Sequence, residues 1–249
     1  MKKILFYIVI LALYGCNKPK TVFICGDHVC INKAEAQQYF EDNLSLEVRL
    51  IDKKKAKAID LVELNLKPNQ PLIGKIGVIR GWKGYDYLLE AAPIILKKYP
   101  DARFVFVGRG PGFEQTKSIA NSLGLEKAVT LLGHREDIPE IMAGLDIQVL
   151  ASFAGEGTPQ VIPQAFAMKT PVVATRVGSV PEMLGQGERG ILVELKNSVD
   201  LANGIIKLIE NPDIGKEISE RGYEFCKNEL GIDRMIDETV ATYEEALES

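Results

Sequence analysis

From residue 71 onward the apolar positions repeat in one order: a short run of consecutive hydrophobic residues, a loop with glycine, then a segment with hydrophobic residues every three or four positions. Runs of the first kind read as strands buried on both faces, and segments of the last kind as amphipathic helices. The expected strands are 72–79, 102–107, 129–132, 147–150, 171–174 and 190–193. The expected helices are 85–98, where Leu88, Leu89, Ala92 and Ile95 share a face, then 113–123, 138–143, 199–210, 213–227 and 232–248. A further helix is expected to begin near Thr158 and Pro159, and a short one after the turn 177–181. Strands alternating with helices imply a parallel sheet covered on both sides, the α/β doubly wound architecture. Ligands of such sheets bind beyond the carboxyl ends of the strands, so the loops after the strands are where chemistry is expected.

The beginning of the chain is patterned differently. Lys2 and Lys3 precede an apolar run at 4–14 that is too short to span a bilayer, and Leu13-Tyr-Gly-Cys16 resembles a bacterial lipoprotein cleavage box. This predicts a signal segment over 1–16, acylation of Cys16, membrane attachment through it, and export. The alternative reading is an uncleaved amphiphilic terminus. Residues 17–66 read as a small α/β head, with strands at 21–24, 46–50 and 60–66 and a helix over 32–43 that Asn32 and Glu35 cap. So short a segment makes a marginal core, and a disulfide between Cys25 and Cys30 would staple it in an exported protein. With His28 between them, the two cysteines also admit free thiols or an incomplete metal site. The prolines of Lys67-Pro-Asn-Gln-Pro71 suit a linker to the body at 67–249.

Composition narrows the function classes. The chain has 249 residues, 46% apolar and 26% charged, with a net charge of −4, and no basic patch with interleaved aromatics, so no nucleic-acid partner is expected. Residues 1–66 hold 10 basic and 8 acidic side chains against 20 and 26 in the remainder, which places a charge change at the same seam. The run at 53–57 reads as a solvated turn in preference to a lipid-binding patch. Cys226 stands on an apolar helical face and is expected in the core.

The loops carry the candidate chemistry. After the first strand come Arg80 and Lys83, with Gly84 next. An arginine forks across two phosphate oxygens and a lysine adds a point charge, so the pair suits a pyrophosphate; as surface charges at a helix start they would do nothing. The loop after 147–150 brings Glu156 to a helix start whose free N–H groups favour an anion. Gly108-Arg-Gly110-Pro111 reads as a tight turn, and Gly133-His134-Arg135 follows the third strand. Glu182 lines the same region or caps its helix. The G-x-G-x-x-G fingerprint with an acid about 20 residues later is absent, which counts against a dehydrogenase.

Glu156-Gly-Thr-Pro-Gln-Val-Ile-Pro-Gln164-Ala, followed by Thr170-Pro-Val-Val-Ala-Thr-Arg-Val-Gly178-Ser-Val-Pro-Glu182, resembles the donor-binding motif of family 4 glycosyltransferases, the glycosyl transferases group 1 of the GT-B fold. The resemblance spans about 72–247. It implies a Rossmann-like donor-side domain, one half of a GT-B fold, behind the small amino-terminal α/β segment. It also implies that Glu156 contacts the transferred sugar and that position 164 contacts the ribose. By the same resemblance Arg80, Lys83 and Gly84 hold the donor diphosphate, Gly110 forms the glycine-rich turn, and the His134 loop meets the base. Thr158 and Gly178 complete the donor site. This chain departs from the family in three places. Gln164 replaces a glutamate and keeps hydrogen bonds but not their charge-assisted part. The spacing from Arg80 to Lys83 is shorter than usual. Pro163 would break a helix that began at Pro159, unless the regular helix starts at Pro163.

The function implied is a hexosyl-type glycosyltransferase, retaining, with a nucleotide-diphosphate sugar as substrate and neither cofactor nor metal. The head is too short for an acceptor-side domain; the acceptor is unknown, and whether a separate chain supplies that domain stays open. Two other readings stay open. One is a non-catalytic module that binds a nucleotide sugar or a partner on an exported lipoprotein; the other is a structural lipoprotein whose body has lost its ligand. The signal points to export, whereas transferase activity requires the cytoplasmic face, where nucleotide sugars are made.

Overall fold

The computed structural model describes residues 23–25, 28–30 and 70–248. The chain divides into two units, Met1–Val48 and Arg49–Ser249. In the first, the described residues form strands β1 (Phe23–Cys25) and β2 (His28–Cys30), paired antiparallel with Phe23 opposite Cys30 and Cys25 opposite His28. The acylation of Cys16, the bonding of the Cys25, His28 and Cys30 side chains, the helix over 32–43 and the strands at 46–50 and 60–66 all lie outside the described residues.

The second unit follows the alternating pattern. Its strands are β3 (Leu72–Ile76), β4 (Arg103–Val107), β5 (Val129–Gly133), β6 (Ile147–Leu150), β7 (Val172–Thr175) and β8 (Ile191–Val193). Between and after them run α1 (Tyr85–Lys98), α2 (Phe113–Ser122), α3 (Ile138–Gly144), α4 (Val161–Ala167), α5 (Val180–Met183), α6 (Ser198–Glu210), α7 (Pro212–Glu229) and α8 (Ile232–Glu248). The sheet order is β5-β4-β3-β6-β7-β8 and every pairing is parallel. The chain therefore winds outward in one direction from β3 and in the other from β6. Neighbouring connections leave on opposite sides at the β3/β6 boundary, the switch point at which doubly wound sheets open a crevice.

The strands alternate between two cores, as a period of two residues requires. Ile73, Phe104, Phe106 and Val149 face α1 and α6, where Leu88, Leu89, Ile95, Leu201 and Ile205 are buried. Leu72, Val105, Val107 and Leu150 face the opposite layer, with Met142 of α3 and Ile162 and Phe166 of α4. Each such side chain taken from water contributes about 1.5–3 kcal/mol before conformational entropy is set against it. Gly222 of α7 lets that helix close on Phe166, whose Cδ1 lies 2.4 Å from where a β-carbon would stand. Cys226 sits half-buried on the same helix, with Sγ 3.6 Å from the Pro163 carbonyl, and burial pushes its thiol pKa up. The expectation of a core cysteine is therefore met only in part.

Two element boundaries differ from the pattern. Strand β3 stops at Ile76, three residues early, because Gly77 turns to φ +145° and donates its N–H to Val107 O at 2.9 Å. Helix α4 begins at Val161 and not near Thr158 or Pro159. That start puts Pro163 in the first turn, where its missing N–H leaves no bond unmade. Among the described residues no helix is long and apolar enough to cross a membrane.

Candidate functional site

Two loops meet at the switch point. The one after β3 ends in a 3-10 turn, Gly81–Lys83, and then Gly84, which adopts φ +67°. A β-carbon at Gly84 would fall 2.0 Å from the Ala151 carbonyl oxygen of the loop after β6. Only a residue without a side chain allows the two loops to come this close. The Phe153 N–H then donates to Trp82 O at 2.9 Å and ties them together. The result is a contact between side chains 73 residues apart: Lys83 Nζ donates to Glu156 Oε1 at 2.6 Å.

Glu156 is held from its other side too. Gly178, after β7, has φ +52°, and a β-carbon there would lie 1.8 Å from the Glu156 carbonyl oxygen. The Ser179 N–H donates to that oxygen at 3.4 Å, and the Ser179 hydroxyl donates to the Gly157 carbonyl. The loop after β7 thus holds the Glu156 backbone and Lys83 holds its carboxylate, whose side chain is 4% exposed against 28% for Lys83. The ammonium has three donors and Glu156 uses one, so Lys83 can keep this bond and still meet an anion.

A cavity of about 250 Å³ opens beside the pair, and Lys75, Lys83, Tyr85, Ser152, Glu156 and Gln164 contribute to its wall. That volume is below the roughly 300–1,000 Å³ of a complete small-molecule site, which suits the middle of an extended ligand. Ser152 Oγ is buried and has no hydrogen-bond partner among the described residues. Such an atom costs stability unless a ligand satisfies it. Tyr85 donates its hydroxyl to Gly77 O at 2.8 Å, and burial raises its phenol pKa.

Sequence reasoning missed Lys75, Tyr85 and Ser152. Lys75 is the most informative, since it is 3% exposed on strand β3. Its Nζ lies 4.7 Å from the centre of the Tyr85 ring. Burial first, and the Lys83 ammonium second, bring its pKa down to about 7, against the opposing pull of Glu156 and Asp86. The signal was present in the sequence: a lysine inside Leu-Ile-Gly-Lys-Ile, a strand otherwise apolar.

Of the residues singled out from the sequence, Lys83, Glu156 and Gln164 share this cavity, and Gly84 and Gly178 shape it through backbone approach. Arg80 does not line it; the side chain is exposed, with its guanidinium carbon 5.3 Å from the centre of the Trp82 ring. Gly110 joins the loops after β3 and β4, a β-carbon there lying 2.4 Å from Ile79 O. His134 is exposed and apart from the cavity wall, while Arg135 beside it forms two bonds to Asp137, at 2.8 and 2.6 Å. Those bonds hold the Asp137 carboxyl below its usual pKa. Thr158 is exposed and precedes α4, so it does not stand at a helix start as expected. Glu182 is exposed on α5.

A larger cavity, about 850 Å³, lies at the opposite edge of the sheet, among Pro71, Asp146, Pro171 and residues of α6 and α7. It adjoins the amino ends of β3, β6 and β7, and none of the candidate site residues reaches it. The smaller cavity is the candidate site, because it combines the switch point with paired charges and an unsatisfied hydroxyl. Among the described residues no cluster of histidine, cysteine or carboxylate side chains forms a metal site.

Comparison with known proteins agrees with this fold. The family described as glycosyl transferases group 1 matches residues 57–225. An uncharacterized glycosyltransferase of Haemophilus influenzae is 28% identical over 89% of this chain and 62% of its own length. The N-acetyl-alpha-D-glucosaminyl L-malate synthase of Bacillus anthracis is 27% identical over 74% of this chain and 48% of its own. The chain thus spans about half to three-fifths of these relatives. Among solved structures, Anabaena Alr3699/HepE in complex with UDP superposes with a TM-score of 0.68 at 27% identity, covering 77% of this chain and 56% of that one. The C-terminal domain of a group 1 family protein (LpcC) from Francisella tularensis gives 0.64 at 30% identity, covering 73% of this chain and 94% of the domain.

Proposed function

Since the chain belongs to the glycosyl transferases group 1, we propose that it binds a nucleotide-diphosphate sugar in the cavity at the β3/β6 switch point and transfers the sugar with retention of configuration. The observation that carries this reading is the 2.6 Å contact of Lys83 with Glu156 at that cavity, with Gln164 on its wall. Lys83 meets the diphosphate and stabilises the negative charge that grows on it as the sugar departs. A preorganised donor of this kind, aimed at developing charge in a site shielded from water, contributes about 10²–10³ in rate. Glu156, its backbone held by the loop after β7 and its carboxylate by Lys83, accepts from sugar hydroxyls and sets the orientation of the anomeric carbon. Gln164 meets the ribose. The cavity holds the central part of the donor, and the acceptor comes from beyond this domain. Neither a cofactor nor a metal is part of the proposal.

The test is release or transfer of sugar from UDP-, GDP- and ADP-hexoses by the full chain. Turnover of at least one donor is expected, with loss of that turnover in Glu156→Ala at an unchanged circular dichroism spectrum. Full activity in the variant would contradict the role of Glu156.

A second reading, binding without turnover, draws on Gln164 in place of the family's glutamate. Binding of a donor with neither hydrolysis nor transfer, even with a separate acceptor domain added, distinguishes it. For the head, acylation of Cys16 is the corresponding proposal. Incorporation of a labelled fatty acid that disappears in Cys16→Ser supports it, and protection of the body from protease outside the inner membrane counts against export.

A further inference from the structure

Arg80 was the arginine that sequence placed on the diphosphate, and it stacks on Trp82 away from the cavity. Lys83 alone among the expected cations lines the cavity, and it is already bonded to Glu156. A diphosphate carries more charge than one such ammonium offsets. The molecule does hold a second amine at the same place. Lys75 lines the cavity from β3 and is 3% exposed, and among the described residues its Nζ has no hydrogen bond or ion pair, only the face of Tyr85 at 4.7 Å. A buried amine without a hydrogen-bond partner is costly, and an anion beside it would offset that cost.

We propose that Lys75 Nζ is the second cation of the donor site and binds the diphosphate as an ammonium, in the role that sequence gave to Arg80. The proposal rests on the donor reading above and deepens it. The groups facing Lys75 support it. Lys83 comes from the loop after β3, Glu156 from the loop after β6, and Tyr85 and Asp86 from α1. Its register partner on β4 is the apolar Phe106, and Val149 of β6 lines the same cavity. Burial first and Lys83 second bring the pKa of the amine down to about 7. An arriving diphosphate adds negative charge beside it and raises that pKa. Above neutral pH the amine must then take one proton from solvent as the diphosphate enters, and release it when the diphosphate leaves. The Lys83 side chain is 28% exposed and Lys75 is 3% exposed, so of the two cations Lys75 is the one that burial keeps from water.

The experiment is calorimetric titration of the full chain with UDP, and with GDP and ADP, at pH 8 in buffers of different ionisation enthalpy. Wild type should take up close to one proton per diphosphate bound. Lys75→Met, which keeps length and apolar volume, should take up none and bind about 10-fold or more weakly. Lys75→Arg carries a permanent charge and should bind without uptake, which separates protonation from folding. Arg80→Ala should behave as wild type. Binding without proton uptake in wild type, or uptake that persists in Lys75→Met, would overturn this proposal and leave the donor reading intact. Binding of none of the three diphosphates would overturn both.

Discussion

Lys83 and Glu156 are joined by a 2.6 Å hydrogen-bonded ion pair, although 73 residues and three strands separate them in sequence. The pair exists because β3 and β6 are neighbours in the sheet, and because Gly84 and Gly178 let the flanking loops press on the backbone at Ala151 and Glu156. Topology supplies the meeting and two glycines supply the fit.

Breaking the pair from one side should be costly. Lys83→Met leaves a carboxylate that is 4% exposed without its partner. A fully buried pair broken this way costs about 3–5 kcal/mol, and the water that reaches Lys83 reduces this to roughly 1–3 kcal/mol. The double variant Lys83→Met/Glu156→Gln should recover part of that loss. Urea unfolding of the four proteins of this cycle measures it, and strictly additive losses would remove the coupling.

The clamp on Glu156 predicts a contrast between two glycines. At Gly178 a β-carbon would meet Glu156 O at 1.8 Å in a left-handed conformation, so Gly178→Ala should cost several kcal/mol, about 2 or more, and displace Glu156. Gly157 has open space for a β-carbon. Gly157→Ala should stay within about 0.5 kcal/mol of wild type in thermal unfolding.

Lys75 predicts a pH dependence of stability. Its pKa falls from 10.5 to about 7 on folding, so between those values the unfolded chain holds a proton that the folded chain lacks. Stability contributed at this site therefore rises with pH across about 7 to 10.5 and is lowest below pH 7. Lys75→Met removes the cost of burying the amine. It should stabilise the empty protein most near pH 6, by an amount on the order of a few kcal/mol, and progressively less toward pH 10. Denaturant unfolding of both proteins across that range checks the sign; a gain that grew with pH would contradict the burial of this amine.

Arg80 predicts the converse. Its stacking on Trp82 at an exposed site is worth about 0.5–1 kcal/mol. Arg80→Ala should lower stability by no more than that and leave donor turnover near wild type. A large loss of turnover would place the guanidinium on the donor.

Much of the fold was legible because six buried parallel strands announce themselves as apolar runs, and the order of their loops located the site. The boundaries that slipped have local causes. Gly77 ends β3 by conformation and not by polarity, and Pro159 with Pro163 signalled a helix start that settles between them at Val161. That Lys83 and Glu156 meet at one cavity was readable because residue type and motif agreed. Arg80 matched in type only, since a cation in a loop does not specify which way it turns, and Trp82 captures it. Lys75 was passed over because a strand of five residues absorbed it as an exception to an apolar run, and only burial and the cavity wall reveal it. Gly84 and Gly178 were placed near the ligand, whereas their contacts are with Ala151 O and Glu156 O, interactions between distant loops that no local pattern encodes.

The most direct test of the account is the affinity of the full chain for UDP-, GDP- and ADP-hexoses, compared between wild type and Lys83→Met. The account predicts that one donor binds wild type with a dissociation constant of about 1 μM–1 mM, the range usual for enzyme substrates, and binds the variant about 10-fold or more weakly. Equal affinity for both proteins, or no binding of any donor to wild type, would contradict it.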